Sequence, residues 1–363
     1  MTSLASAEKR VARAFDACDW YAAEQAVRAL YHRQATGARK EAPAPPAVAA
    51  ATLRSGAARL LAARQITAGT SIALLLVEHW ASGGPVGSSG GGGGSGGAAA
   101  AEGPGRVPYG SDGSDEALLA LADAYGDPAG LDEAARREYL RYLRAAIAYS
   151  SSPPSASGGD ARRGASVVGP TEHGDARLHA RAGAAAAAAG DFPAASRHYL
   201  HSDDPKGHAA ALLSWSDTVL TSEVPLLLTR AVLSYLASGD GGGVGPTYGD
   251  GNLADAKVVR DEFVTAVGWP MAEYGSPAAP PLANFCTLTL AAAARGRAAA
   301  PLWATLRQTY AGSLRRDPSL ERLLEAVGQA WFGVEPPRPP GGGGGMFGGL
   351  MGEMMRGMMT GAR

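Results

Sequence analysis

The sequence predicts an all-α fold: an α-solenoid of tetratricopeptide-like helical hairpins, with low-complexity loop insertions and a disordered Gly/Met-rich tail. Three observations carry the prediction. Apolar residues make up 46% of the 363 residues, much of that share is Ala, and aromatics are only 7%; Ala-rich segments poor in β-branched residues favour helix. Arg177 to Trp215 reads as helix, Gly-Asp-aromatic turn, helix, short break, helix. Finally, Cys18-Asp19-Trp20-Tyr21-Ala22-Ala23 repeats Gly190-Asp191-Phe192-Pro193-Ala194-Ala195 in register. A helical hairpin with one apolar stripe cannot bury that stripe alone, so it asks for neighbours of its own kind.

Within Arg177 to Trp215, Leu178 starts a run of small residues that lets two helices approach closely. Gly190 ends the first helix and Asp191 caps the second through its side-chain oxygen. Phe192, Ala195 and Tyr199 follow at i, i+3 and i+7, a single stripe. Along the chain, Ala5 to Phe15 and Asp19 to Gln34 form the first hairpin, ended by a Pro-rich break at Pro43, Pro45 and Pro46. Helices resume over Ala47 to Arg64 and Thr70 to Trp80, joined by a turn containing Gly69. Ser82 to Ser114 is almost wholly Gly, Ser and Ala and reads as a flexible insertion, because it has too little to bury. Asp115 to Tyr125 and Leu131 to Tyr149 make the next pair, with Asp132 as a cap, and Ser150 to Pro170 reads as a second disordered break. Beyond Trp215 come Ser222 to Ala237, a Gly-rich loop at 239–251, Leu253 to Val267, a turn at Pro277 to Pro281, Leu282 to Ala294, Ala300 to Tyr310 and Leu320 to Phe332. No sustained strand pattern occurs. The expected organisation is an N-terminal helical half (1–149), the break (150–170), a C-terminal helical half (171–335) and the tail (336–363).

Composition and spacing exclude several function classes. The formal net charge is −1 and no Lys/Arg block exceeds two residues, so the footprint of a nucleic-acid binder is missing. No apolar run reaches the eighteen or so residues of a membrane span, and Ile72 to Trp80 is half that length and carries Glu78 and His79. The N-terminus lacks the apolar core of a secretory signal, and Cys18 and Cys286 stand far apart. Both features point to a reduced, cytosolic protein without stable membrane insertion. No phosphate-loop pattern and no G-x-S-x-G elbow is present. His198 and His201 lie at i, i+3, with His179 and His208 possible neighbours, but no Cys or helically spaced Glu accompanies them. They are expected to be solvated or capping residues. Neither a catalytic site nor a cofactor or metal site is expected.

Ser313-Leu314-Arg315-Arg316-Asp317-Pro318, then Val327-Gly328-Gln329-Ala330-Trp331-Phe332-Gly333-Val334 and Pro336-Pro337, resemble the C-terminal hallmark of the Golgi-to-ER traffic protein 4 family. Collinear matches are Asp19 to Gln25 with Arg28-Ala29-Leu30, Ser55-Gly56-Ala57, Tyr199 to Asp204, and Pro281-Leu282-Ala283-Asn284-Phe285. The resemblance implies a non-enzymatic cytosolic adaptor of the pathway that guides tail-anchored proteins to the ER membrane. Its N-terminal half would dock the targeting ATPase. Its C-terminal half would hold a co-chaperone with a ubiquitin-like domain and, in some lineages, a large chaperone of the same pathway. A helical-repeat scaffold of another assembly, such as a vesicle coat or proteasome lid, shares the fold and differs in its partners.

The residues suit such an adaptor. Tyr21 and Arg28 are seven apart and share a helix face, about 100° round from the Trp20–Val27 stripe. An exposed Tyr/Arg pair is a common interface anchor, and Glu24 shares its face. Ser71 stands where many family members place an acidic residue after the Gly-Thr turn. Leu282, Phe285, Leu288, Trp303 and Leu306 are candidates to line an apolar groove for the second partner, ordinary core being the competing reading. For Arg315, Arg316 and Asp317 capping and an intrachain ion pair are expected. Met346 to Met359 could offer an adaptable apolar surface, against a reading of the tail as disorder without a role.

Overall fold

The turn that starts each pair is encoded locally. In the computed structural model, which describes residues 4–37, 42–83, 107–151, 173–238, 249–270 and 275–334, Cys18 and Gly190 occupy the same place in their repeats. Both are left-handed, at φ 54° and 76°. The amide of the next residue, Asp19 or Asp191, donates to the carbonyl five back, Ala14 or Ala186, at 3.0 Å in both. The same Asp side chain then accepts from Ala22 N or Ala194 N at 3.0 and 3.1 Å. A helix end and a helix start are thus satisfied by three consecutive residues. The turn recurs a third time at a place no residue pattern marks: Arg64 is left-handed at φ 60°, and Gln65 N donates to Leu60 O. The second hairpin therefore turns at Arg64. Gly69, expected in that turn, lies inside the following helix, where a Cβ would come within 2.7 Å of the Leu61 side chain.

Fifteen α-helices and no strand are found among the described residues. The first half holds α1 (Leu4–Asp16), α2 (Trp20–Thr36), α3 (Pro46–Ala62), α4 (Ile66–Ser82), α5 (Ser114–Asp123) and α6 (Glu133–Ser151). Next come α7 (Ala176–Ala188), α8 (Phe192–Tyr199), α9 (Pro205–Ser216), α10 (Val224–Ala237) and α11 (Gly249–Val267). The last are α12 (Pro281–Ala293), α13 (Ala300–Thr309), α14 (Ala311–Leu314) and α15 (Leu320–Phe332). Neighbours in sequence pack as neighbours in space from α1 to α4, then α4 on α6, α6 on α7, α7 on α8 and α8 on α9. Beyond α9 the succession changes: α10 lies against α11, α12 and α15 together and forms the centre of a closing bundle.

Several boundaries differ from expectation for identifiable reasons. Pro46 opens α3 instead of preceding it, since a proline at the first helical position loses no hydrogen bond. Gly249 to Gly251, expected in a loop, begin α11. Val107 to Gly113, expected in the flexible insertion, are tied down: Val107 N donates to Trp80 O, and Tyr149 Oη donates to Val107 O at 2.8 Å. Ser150 and Ser151 belong to α6, and the buried Ser150 hydroxyl accepts from Asp175 N at 2.9 Å. The rest of both proposed breaks, residues 84–106 and 152–172, together with 239–248 and the Met-rich tail, lies outside the described residues.

The apolar interior has two main clusters. The first runs from Ala14 and Phe15 through Tyr125 and Tyr142 to Leu178, Ala182 and Ala185 of α7. The second begins at Leu212 of α9 and ends at Phe332. Between them sits a small group, Ala186, Ala195, Tyr199 and Ala211. The packing boundary therefore falls within α7–α9, later than the compositional break at 150–170. The small residues of α7 act as expected: a Cβ on Gly183 would stand 2.9 Å from the Tyr199 ring of α8.

Candidate docking surface

On α2, the side chains that do not face α3 are set by helical spacing. Ala23, Val27 and Leu30 are buried, and Tyr21 on another side is 76% exposed, the most exposed large apolar residue described. One turn on, Glu24 accepts from Arg28 Nε at 3.1 Å. The same guanidinium reaches across to α4, where Arg28 Nη2 donates to the Ser71 hydroxyl. Arg28 is half-buried at 32% side-chain exposure and Glu24 at 18%. Tyr21, Glu24, Arg28 and Ser71 thus belong to one outer surface spanning two helices. Its chemistry is an aromatic anchor beside a planar cation whose donors are already aimed. A neutral hydroxyl at Ser71 accepts from that cation without neutralising it, so the cation retains more of its field than it would beside a second carboxylate. Sequence spacing places Tyr21, Glu24 and Arg28 together; the Arg28–Ser71 link, 43 residues apart, is a product of α2 and α4 packing on α3.

Four of the five residues expected to line a C-terminal groove are placed differently. Leu282, Phe285, Trp303 and Leu306 are 2%, 0%, 1% and 4% exposed and sit inside the second core. Phe285 and Trp303 rings are 6.1 Å apart, and Trp303 stacks on Phe332 at 5.0 Å. They bind α12, α13 and α15 together and do not face solvent. The reason is that helical apolar spacing is identical for a groove and for a core; only the position of α15 over Trp303 decides. Leu288 is half-buried against the same core. The large apolar side chains left open in this region are their sequence neighbours, Leu302 at 37% and Val334 at 38%.

Arg315, Arg316 and Asp317 divide their roles. Asp317 pairs with Arg230 of α10 at 2.5 Å and accepts from Ser319 N at 3.0 Å. Burial would raise its carboxyl, but the hydrogen bonds from Ser319 and Arg230 outweigh it and hold it below the usual range. Arg316 Nη2 donates to Ser222 O at 2.7 Å. Arg315, with Arg307, Asp317 and Glu321, lines an open depression of about 620 Å³ beside α13–α15. In the motif that follows, Trp331 Nε1 donates to Leu236 O at 2.8 Å, so these two strings largely fasten the closing bundle to α10 and the residues just before it.

The histidines are less exposed than expected. His179 and His208 are buried, and His198 and His201 are half-buried. Burial holds His198, His201 and His208 down to about 4. Among the described residues no group of three or more His, Cys, Asp or Glu is placed to hold a metal ion. Cys18 and Cys286 are both free thiols, one exposed and one buried.

Fold and sequence comparisons agree. The profile of the family described as Golgi to ER traffic protein 4 matches residues 111–355. Curated relatives are the Golgi to ER traffic protein 4 homologs of Oryzias latipes, 31% identical over 163 residues (45% of this chain, 44% of the relative), and of Homo sapiens, 33% identical over 159 residues (44% and 43%). Protein GET4 of Arabidopsis thaliana is 28% identical over 158 residues (44% and 43%). The alignments therefore span less than half the length of these relatives. The crystal structure of C. therm. Get4 superposes with a TM-score of 0.63, covering 97% of this chain and 94% of that one at 21% identity, a likeness of fold. A profile match over two thirds of the sequence, on helices packed in the same order, places this chain in the Golgi to ER traffic protein 4 family.

Proposed function

We propose that the chain is a non-enzymatic cytosolic scaffold that holds a co-chaperone with a ubiquitin-like domain beside the ATPase that targets tail-anchored proteins. It thereby promotes their post-translational insertion into the ER membrane. Family membership supports the pathway; the observation that carries the residue-level reading is the exposed Tyr21 beside the Glu24–Arg28–Ser71 cluster. That surface docks the ATPase, and the C-terminal bundle holds the ubiquitin-like partner and, where present, a large chaperone. Leu282, Phe285, Trp303 and Leu306 serve the second interface by fixing the shape of the bundle, and Leu302 and Val334 supply its open apolar contacts. Such a scaffold works by raising effective concentration and selecting one conformer of the ATPase.

The test is reconstitution with the pathway's ATPase and ubiquitin-like co-chaperone. Arg28→Ala is expected to weaken ATPase binding at least tenfold, the size of an interface hot spot of about 1.4 kcal/mol or more, and to leave the co-chaperone bound. Unchanged ATPase affinity in that variant refutes the N-terminal interface. Among the described residues no helix is long and apolar enough to cross a membrane.

A further inference from the structure

Four histidines that the sequence separates meet where the two cores join. His179 of α7 and His198 of α8 face each other, Nδ1 to Nδ1, at 3.1 Å. His173 and His201 stack at 4.1 Å between ring centroids, and His179 meets His201 edge-on at 5.4 Å. The tautomers follow from the carbonyl acceptor: His179 Nε2 donates to His173 O at 2.8 Å, so in the neutral ring its Nδ1 accepts, and His198 Nδ1 must donate. This arrangement holds only while His179 is neutral, since a cationic His198 would still donate from Nδ1. A proton added to His179 turns that contact into two opposed donors.

Asp175 is the one neighbouring carboxylate that favours a proton on His179, and burial outweighs it. From α6, Arg144 faces His198, and Arg197 adds a second positive charge from α8 itself. Of the carboxylates on packed elements, Asp115 and Asp123 of α5 are paired with Arg177 and Arg181. Glu138 of α6 is paired with Arg141, and Asp127 caps its own turn. Asp175, which does act on His179, already accepts from Tyr109 and Arg177. Asp204 caps α9, whose own Lys206 is paired with Glu262 and whose His208 is bonded to Ser196 and Tyr235. The cluster sits on the α7–α8 hairpin, with α7 completing the first core and the second core beginning on α9.

The geometry points to a proton-operated joint: protonation of the cluster, with His179 breaking its bond to His198 and His201 placing a charge against His173 and His179, separates α7 from α8 and loosens the first core from the second. The sign is fixed by linkage. Burial first, then the neighbouring charges, hold the His198 and His201 rings near 4 where an ordinary histidine titrates at 6.5, so the opened joint binds more protons than the closed one. Closure is favoured above about pH 6.5 and lost as pH falls towards 4. At pH 5.5 each such ring favours opening about tenfold more than at pH 7.5. The two together give a ten- to hundredfold effect, the lower end allowing for their half exposure.

Hydrogen exchange of the full chain, corrected for intrinsic rates, tests this. Between pH 7.5 and 5.5 the protection of residues 176–201 is expected to fall about ten- to hundredfold, with that of α3 and α4 unchanged. The double variant His198→Gln, His201→Gln should reduce the local fall to the part owed to His179 and His208. Arg144→Gln leaves every ring in place, removes a positive charge that holds His198 down and should therefore give a smaller loss of protection over the same pH interval. A fall spread evenly over the chain, or one that persists undiminished in the double variant, overturns the proposal, as does an Arg144→Gln variant that behaves as the parent.

Discussion

Gly56 sits where α3 crosses α2, and adding one methyl there sets two effects against each other. In an exposed helix, Gly→Ala stabilises by about 1 kcal/mol. Here a Cβ would stand 2.7 and 2.9 Å from the two γ-methyls of Val27, which is itself 1% exposed and enclosed by the first core. Both methyls cannot move away together, because turning χ1 of a β-branched residue in a helix replaces one with the other. Overpacking of this kind costs about 1–3 kcal/mol. The expected net result for Gly56→Ala is a loss of up to about 2 kcal/mol. Val27→Ala removes the clashing methyls and by itself should cost about 1–3 kcal/mol through the cavity it leaves. In that background Gly56→Ala should reverse sign and stabilise by up to about 1 kcal/mol. Urea denaturation of the four proteins, with hydrogen exchange to place the change on α2 and α3, measures the coupling. If Gly56→Ala destabilises equally in both backgrounds, close approach of α2 and α3 is not what this glycine provides.

Other expectations follow from single observations. Cys18→Gly should stabilise by up to about 1 kcal/mol, since Cys18 holds at φ 54° the place that Gly190 fills in the other repeat; thermal melting reads it. Trp303→Ala should cost about 3–5 kcal/mol by opening the Phe285–Trp303–Phe332 stack, whereas Leu302→Asp next to it should stay within about 0.5 kcal/mol and weaken only the second partner. Asp175 gives a pH effect of ordinary sign: burial raises its carboxyl, but bonds from Arg177 and Tyr109 prevail and hold it low. The stability it confers is present above about pH 4 and is lost below it. Asp175→Asn should flatten that acid limb in denaturation profiles taken between about pH 5 and pH 2.

Most of the fold was legible because its signals are local. The Asp caps at 19 and 191 and the helical spacing of Val27 and Leu30 or Ala195 and Tyr199 act within one or two turns of chain. The turn at Arg64 was not, because nothing about an arginine advertises a left-handed backbone; the α3–α4 packing imposes it. Of the candidate surface, Tyr21, Glu24 and Arg28 follow from α2 alone, and the partner across at Ser71 needed tertiary structure. Leu282, Phe285, Trp303 and Leu306 show the opposite limit. Their spacing announces a buried face, and cannot say whether a partner or α15 buries it. The histidine cluster is not legible in sequence for the same reason: His173 and His201 are 28 positions apart and stack only because α7 and α8 fold back on each other.

Because Leu178, Ala182 and Ala185 complete the first core from beyond residue 172, the place where the sequence looks most severable is the wrong place to divide the molecule. A fragment ending at residue 149 would lack its closing helix and the Ser150 anchor for Asp175. Proteolytic cleavage anywhere in 152–172 should instead yield two polypeptides that stay together through α6 and α7 and co-elute until denatured. A cleanly separable piece would have to end near Gly190, after the helix that seals it.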